Sequence, residues 1–238
     1  MSLKDEIREQ RKSLKGAGFK KQASWFITYY GWASLLCIAL LVFSVLFIRR
    51  ILTSKEKILS IMMINSSSLE LFSDTDAGEI ISRGFEEYIG TDTDRYFVQT
   101  DMNESLAVSD NTDYQTAEMI FALSASGQLD IMTADPAVFE HYAKAQFFED
   151  LREHLTESEL SRYREQGLLF YSDALDENGE TLETHVPTGI ICTGSKVLRD
   201  VGAYENSECI TGIIAGSAHP ETGKRFIEYL MSKGQAAP

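Results

Sequence analysis

Four histidines, His141, His154, His185 and His219, and three cysteines, Cys37, Cys192 and Cys209, carry the most versatile chemistry in this chain, and they are scattered along it. No H-E-x-x-H pair places two imidazoles on one helix face, and no histidine has a partner at metal-ligand spacing. No G-x-S-x-G turn raises a serine nucleophile. Gly189, Gly194, Ser195 and Lys196 come nearest to a phosphate loop, but there the hydroxyl precedes the lysine, whereas that loop needs lysine first. Asp101, Asn103 and Ser105 resemble the start of a calcium loop that then fails, with Leu106 where glycine is required and Thr112 where a bidentate glutamate is required. Acidic residues are too numerous for spacing to single out a glycosidase pair, which is defined by separation in space. The expectation is a protein that is not an enzyme and uses no cofactor or metal.

One place does invite a ligand. In open α/β sheets the crevice lies at the carboxyl ends of strands, where helix amino termini aim N–H groups. Thr133 and Asp135 end the strand-like run Leu129–Thr133 and should line such an edge, with Ser66 and Ser67, after an earlier strand, beside them. Asp135 followed by Pro136 also has a plainer role, an N-cap before a proline with preset φ. Tyr142, Phe147 and Phe148 read as core aromatics.

The elements that would position these residues alternate. Ile58–Ile64 reads as a buried strand, Asp76–Ile89 as an amphipathic helix, Arg95–Thr100 as a strand, Tyr114–Ser126 as a helix and Leu129–Thr133 as a strand. This βαβαβ rhythm implies mainly parallel strands covered by helices. A helix follows Pro136 as far as about Leu151, and another starts at Thr156, where Glu159 completes a capping box. Strands are expected at Leu168–Tyr171, Thr184–Cys192 and Cys209–Ala215, with a turn at Asp176–Gly179, a short helix at Lys196–Val201 and a last helix opened by Pro220. Cys192 and Cys209 then sit in two strands, where an oxidising setting permits a disulfide and two buried thiols are the equal alternative.

Charge and hydropathy divide the chain. Phe26–Ile48 contains no charged residue, and its 23 residues span roughly 34 Å as a helix, enough to cross a bilayer core of about 30 Å. It runs straight into Arg49 and Arg50 without a small-residue cleavage site, and Tyr29, Tyr30 and Trp32 suit a membrane interface at its start. Before it lie Lys4, Arg8, Arg11, Lys12, Lys15, Lys20 and Lys21, against Arg49, Arg50, Lys55 and Lys57 after it, an excess that places the amino terminus inside. The reading is a basic cytoplasmic tail (1–24), a transmembrane anchor (25–50) and an extracytoplasmic domain (55–238). Residues 1–50 carry a net +6 and the remainder −20, a balance that repels nucleic acid and anionic lipid.

Two stretches carry a family resemblance. LDIMTADPAVFEHYAKAQFFEDL (Leu129–Leu151) and the closing AGSAHPETGKRFIEYLMSKG (Ala215–Gly234) resemble bacterial extracellular solute-binding proteins of the periplasmic-binding type II fold. The basic tail, WFITYYGW and single span look like uncharacterised membrane-anchored bacterial proteins with a reduced domain of that type. The resemblance implies a compact αβα domain that captures a small solute, a sugar or a peptide, for a transporter or sensor. Its body is shorter than such proteins and follows no lipoprotein cysteine, so the other expectation is an interaction or assembly domain that kept the fold without ligand binding.

Overall fold

The computed structural model describes residues 18–52, 55–66, 77–102, 104–106, 114–175, 179–205 and 207–232. Ser67, Asn103, Thr112 and most of the 176–179 turn fall outside the described residues. The chain divides into two compact units, Met1–Ser54 and Lys55–Pro238.

The first unit contains one long helix, α1 (Phe19–Leu52). Within it, Gly31–Arg50 is long and apolar enough to cross a membrane, and its large side chains are uncovered by protein. Left uncovered in water, these apolar side chains would cost free energy at about 25 cal/mol per Å².

The second unit is an α/β domain. Its strands are β1 (Glu56–Met63), β2 (Tyr96–Asp101), β3 (Ile131–Ala134), β4 (Leu169–Leu175), β5 (Thr181–Ile191) and β6 (Ile210–Ile213), in one sheet of order β2-β1-β3-β6-β5-β4. Its helices are α2 (Ala77–Ile89), α3 (Tyr114–Ala125), α4 (Pro136–Lys144), α5 (Glu157–Glu165), α6 (Lys196–Asp200) and α7 (Pro220–Ser232).

Alternation along the central strands feeds two cores. Leu59, Ile61 and Met63 of β1 join Ile131, Phe85 of α2 and Phe226 of α7 on one face. Met62, Ile64 and Met132 join Ile120 of α3 and Phe139 of α4 on the other. Successive strand residues point to opposite faces, so a sheet buried on both must be apolar at consecutive positions, as Ile61 to Ile64 are.

The parallel expectation holds for half of the sheet. β1 pairs in parallel with β2 and β3, each reached through a crossover helix. β6 runs antiparallel to β3 and to β5, and β5 antiparallel to β4. Only residues 176–180 join β4 to β5, too few for a crossover, and such a short link returns the chain antiparallel. Gly189 of β5 and Gly212 of β6 let the halves close over α4, since a Cβ on either would come within 2.8 Å of the Phe139 ring. Gly189, the first residue of the discarded phosphate-loop pattern, therefore serves packing.

A second expectation is corrected after Pro136. The helix was read as continuing to about Leu151, but α4 stops at Lys144 and Gln146 has φ 56°. The Gln146 side chain explains the stop: its Nε2 donates to the Asp173 carbonyl at 2.8 Å and its Oε1 accepts from Leu175 N–H at 3.1 Å, both in β4. Beyond it the chain is extended along β6, where Phe148 bridges to Ile214 and Glu149 N–H donates to the Ile213 carbonyl.

Candidate functional site

The carboxyl-end crevice is occupied by the protein's own groups. Asp135 caps α4, its Oδ1 accepting from Ala137 and Val138 N–H at 3.0 and 3.2 Å, and its Oδ2 accepts from Asn65 Nδ2 at 2.6 Å. Asn65 in turn exchanges side-chain bonds with the Leu106 backbone, at 2.8 Å each, and adopts φ 58° to do so. Leu106, which stands where a calcium loop requires glycine, is buried. Thr133 is fully buried and its hydroxyl meets that of Thr211 at 2.9 Å. Tyr204 caps the carboxyl ends of β1 and β3, its hydroxyl facing the Ile64 carbonyl at 2.7 Å and the Thr133 carbonyl at 3.0 Å, and burial pushes its pKa well above the ordinary value. Ser66 is buried beside this cluster. Thr133 and Asp135 are thus tied to the end of β1 through Ile64 and Asn65, next to which Ser66 follows in the chain.

Asp130, at the opposite end of β3, was not singled out from sequence. Its carboxylate, 1 % exposed, accepts from Ser60 N–H at 2.8 Å, the Ser217 hydroxyl at 2.7 Å and His219 N–H at 3.2 Å, with His219 Nδ1 also at 3.2 Å. Buried charge persists where it is bonded this fully. Ser217 donates to the carboxylate and not to the imidazole, so serine, histidine and aspartate here tie the start of β3 to the β6–α7 loop.

Cys192 and Cys209 are direct neighbours across the strand ends, Cys192 N–H donating to the Cys209 carbonyl at 2.9 Å. Both are buried free thiols, and burial pushes the Cys192 pKa to about 12 and raises that of Cys209. Thiols held protonated in this way are poor nucleophiles.

A cavity of about 410 Å³ opens between α2, α5 and α7, lined by Tyr88, Glu159, Arg162, Tyr163, Glu228 and Ser232 among others. Its volume lies within the range of small-molecule sites, about 300–1,000 Å³. Thr156 and Glu159 form the expected capping box that starts α5 and so aims this wall. Burial would raise the Glu159 carboxyl, but bonds from the Thr156 hydroxyl and N–H, each 2.7 Å, and from Lys224 at 3.0 Å hold it at about 2. The Arg162 guanidinium lies 4.9 Å from the Tyr163 ring centre. Tyr163 is 1 % exposed, and its hydroxyl is sealed without a hydrogen-bond partner. Burial raises its pKa, so it remains a donor. Two larger hollows, of about 520 and 810 Å³, have no such sealed, unpartnered atom among their described lining residues. Sequence reading missed this site because its walls come from three helices far apart in the chain.

No family model and no curated protein matches this sequence. Fold and composition define an α/β domain with a mixed sheet, in a chain bearing one amino-terminal helix apolar enough to cross a membrane.

Proposed function

We propose that this is a single-pass membrane protein whose residues 55–238 form an extracytoplasmic, non-catalytic domain that captures a small polar solute, a sugar or a peptide, for a transporter or sensor. The α1 apolar run and the excess of Lys and Arg before it support the topology. The observation that carries the binding reading is the unpartnered Tyr163 hydroxyl in the 410 Å³ cavity. A solute that displaced the side chains covering this hydroxyl would give it an oxygen acceptor, while Tyr88 offers a ring face and Arg162 and Glu228 offer charge of both signs. In this reading the solute lies between the helices, because the described polar groups at the carboxyl ends of β1 and β3, Tyr204 and Asn65 among them, are already bonded within the protein.

Calorimetric titration of the full chain in detergent with mono- and oligosaccharide and dipeptide pools tests the reading. Binding with a Kd in the micromolar range that weakens at least several-fold in Tyr163→Phe supports it; silence across all pools sinks it. Protease treatment of intact cells tests the topology separately, since an uncut domain would place it in the cytoplasm.

A second reading, an interaction or assembly domain, is favoured by the β4–β5 hairpin. β4 is an edge strand, and Leu182 on β5 is 72 % exposed, features that invite pairing with another chain. Self-association lost on Leu182→Lys, together with silent titrations, would select it.

A further inference from the structure

The early stop of α4 has a chemical consequence. The extended residues 147–149 and the short 3₁₀ turn Leu151–Glu153 bring Glu149, Glu153 and His154 together, with one ligand atom from each within 4.8 Å of the others. Glu149 is positioned from behind: its Oε1 accepts from Gly216 N–H at 2.9 Å, in the loop between β6 and α7. Its Oε2 lies 4.0 Å from His154 Nε2, beyond hydrogen-bond reach. The His154 side chain is only 11 % exposed, and Nε2 itself is sealed and without a hydrogen-bond partner.

A buried nitrogen left unpartnered costs about 1–3 kcal/mol, and an absent ion is one physical reason for such an atom. Two ligand atoms each about 2.1 Å from one tetrahedral ion stand about 3.4 Å apart, so the 4.0 Å gap closes with a shift of about half an ångström. Glu153 is exposed, so its carboxylate can swing in to complete the set. An imidazole with two carboxylates suits a zinc-class ion, whereas calcium requires six to eight oxygens.

We propose that Glu149, Glu153 and His154 form a three-ligand site for a divalent cation of the zinc class, with the fourth position open to water on the Glu153 side. The Gly216 N–H orients Glu149 as an outer partner. The ion would clamp the 147–155 segment against the β6–α7 loop. The site does not depend on the solute reading.

The test is titration of the metal-stripped full chain in detergent with zinc chloride and, separately, calcium chloride, by calorimetry and thermal melting. The expected result is one zinc per chain, a higher melting temperature reversed by chelator, and no response to calcium. Glu153→Gln, an exposed change that leaves the fold intact, and His154→Gln should each weaken zinc binding at least 10-fold, while His141→Gln on α4 should not. Absence of zinc binding at micromolar concentration, unchanged affinity in both ligand variants, or an equal response to calcium would overturn the proposal.

Discussion

The carboxyl-end crevice and the α2–α5–α7 cavity belong to one domain and differ in how their polar groups are spent. In the crevice, Asp135 accepts three bonds, Asn65 is tied to Leu106 and Asp135, Thr133 meets Thr211, and the Tyr204 hydroxyl reaches two carbonyls. In the cavity wall, the buried Tyr163 hydroxyl has no acceptor for its own proton, with the Arg162 guanidinium beside it. A position favoured by topology can therefore be consumed by structure, while a position with no topological advantage keeps an unmet donor. Unmet bonding capacity, more than location in the fold, marks where a ligand would gain.

This contrast breaks most sharply at Asp135. Asp135→Ala removes the α4 cap and leaves one of the two Asn65 amide N–H groups without its acceptor, so a loss of about 2–3 kcal/mol in urea unfolding is expected. Tyr204→Phe should follow at about 1–2 kcal/mol, because the Ile64 carbonyl loses its donor. Tyr204 also holds φ 54°, an uncommon conformation for a bulky residue, which its packing must maintain. Both variants should bind solute as the parent does. Loss of binding at unchanged stability would move the site back to the crevice.

What was legible in the sequence was local. The Asp135–Pro136 start, the Thr156–Glu159 capping box and the βαβαβ order each depend on neighbours a few residues apart, and each appears as read. What escaped was set by distant partners. Gln146 ends α4 through bonds to β4, some 27 residues on, and β6 takes its direction from pairing with β3 and β5. Glu149, Glu153 and His154 lie within six residues of one another, a signal that was available, but a continuous helix to Leu151 would have placed their side chains differently. Cys192 and Cys209 were placed in two strands, with a disulfide and two buried thiols as equal alternatives; they lie just beyond β5 and just before β6, bonded backbone to backbone with both thiols free.

On the cavity side, acid provides the next test. The Glu159 carboxyl titrates at about 2 in the folded domain against an ordinary value of 4.5. A lowered folded pKa contributes stability that is complete above about pH 4.5 and is lost as pH falls toward 2. After allowance for its partial exposure, the loss should be about 1–2 kcal/mol. Glu159→Gln should flatten the stability profile in that window, measured by urea midpoints from pH 5 to 2. An unchanged slope would assign the acid sensitivity to other carboxylates and leave the α5 wall supported by packing alone.

The smallest effect separates the two regions by sign. Tyr204→Phe takes away a hydroxyl that is bonded and must destabilise. Tyr163→Phe takes away one that is buried and unbonded, so the free protein should become more stable by about 1 kcal/mol, because the folded state no longer keeps a desolvated donor without a partner. Solute affinity should fall in the same variant, since the donor is satisfied only in the complex. Stability rising while affinity falls is the pattern of a group retained for a ligand at the expense of the fold. If Tyr163→Phe instead destabilises the free domain, its hydroxyl has a partner within the protein, and the cavity loses the feature that set it apart from the crevice.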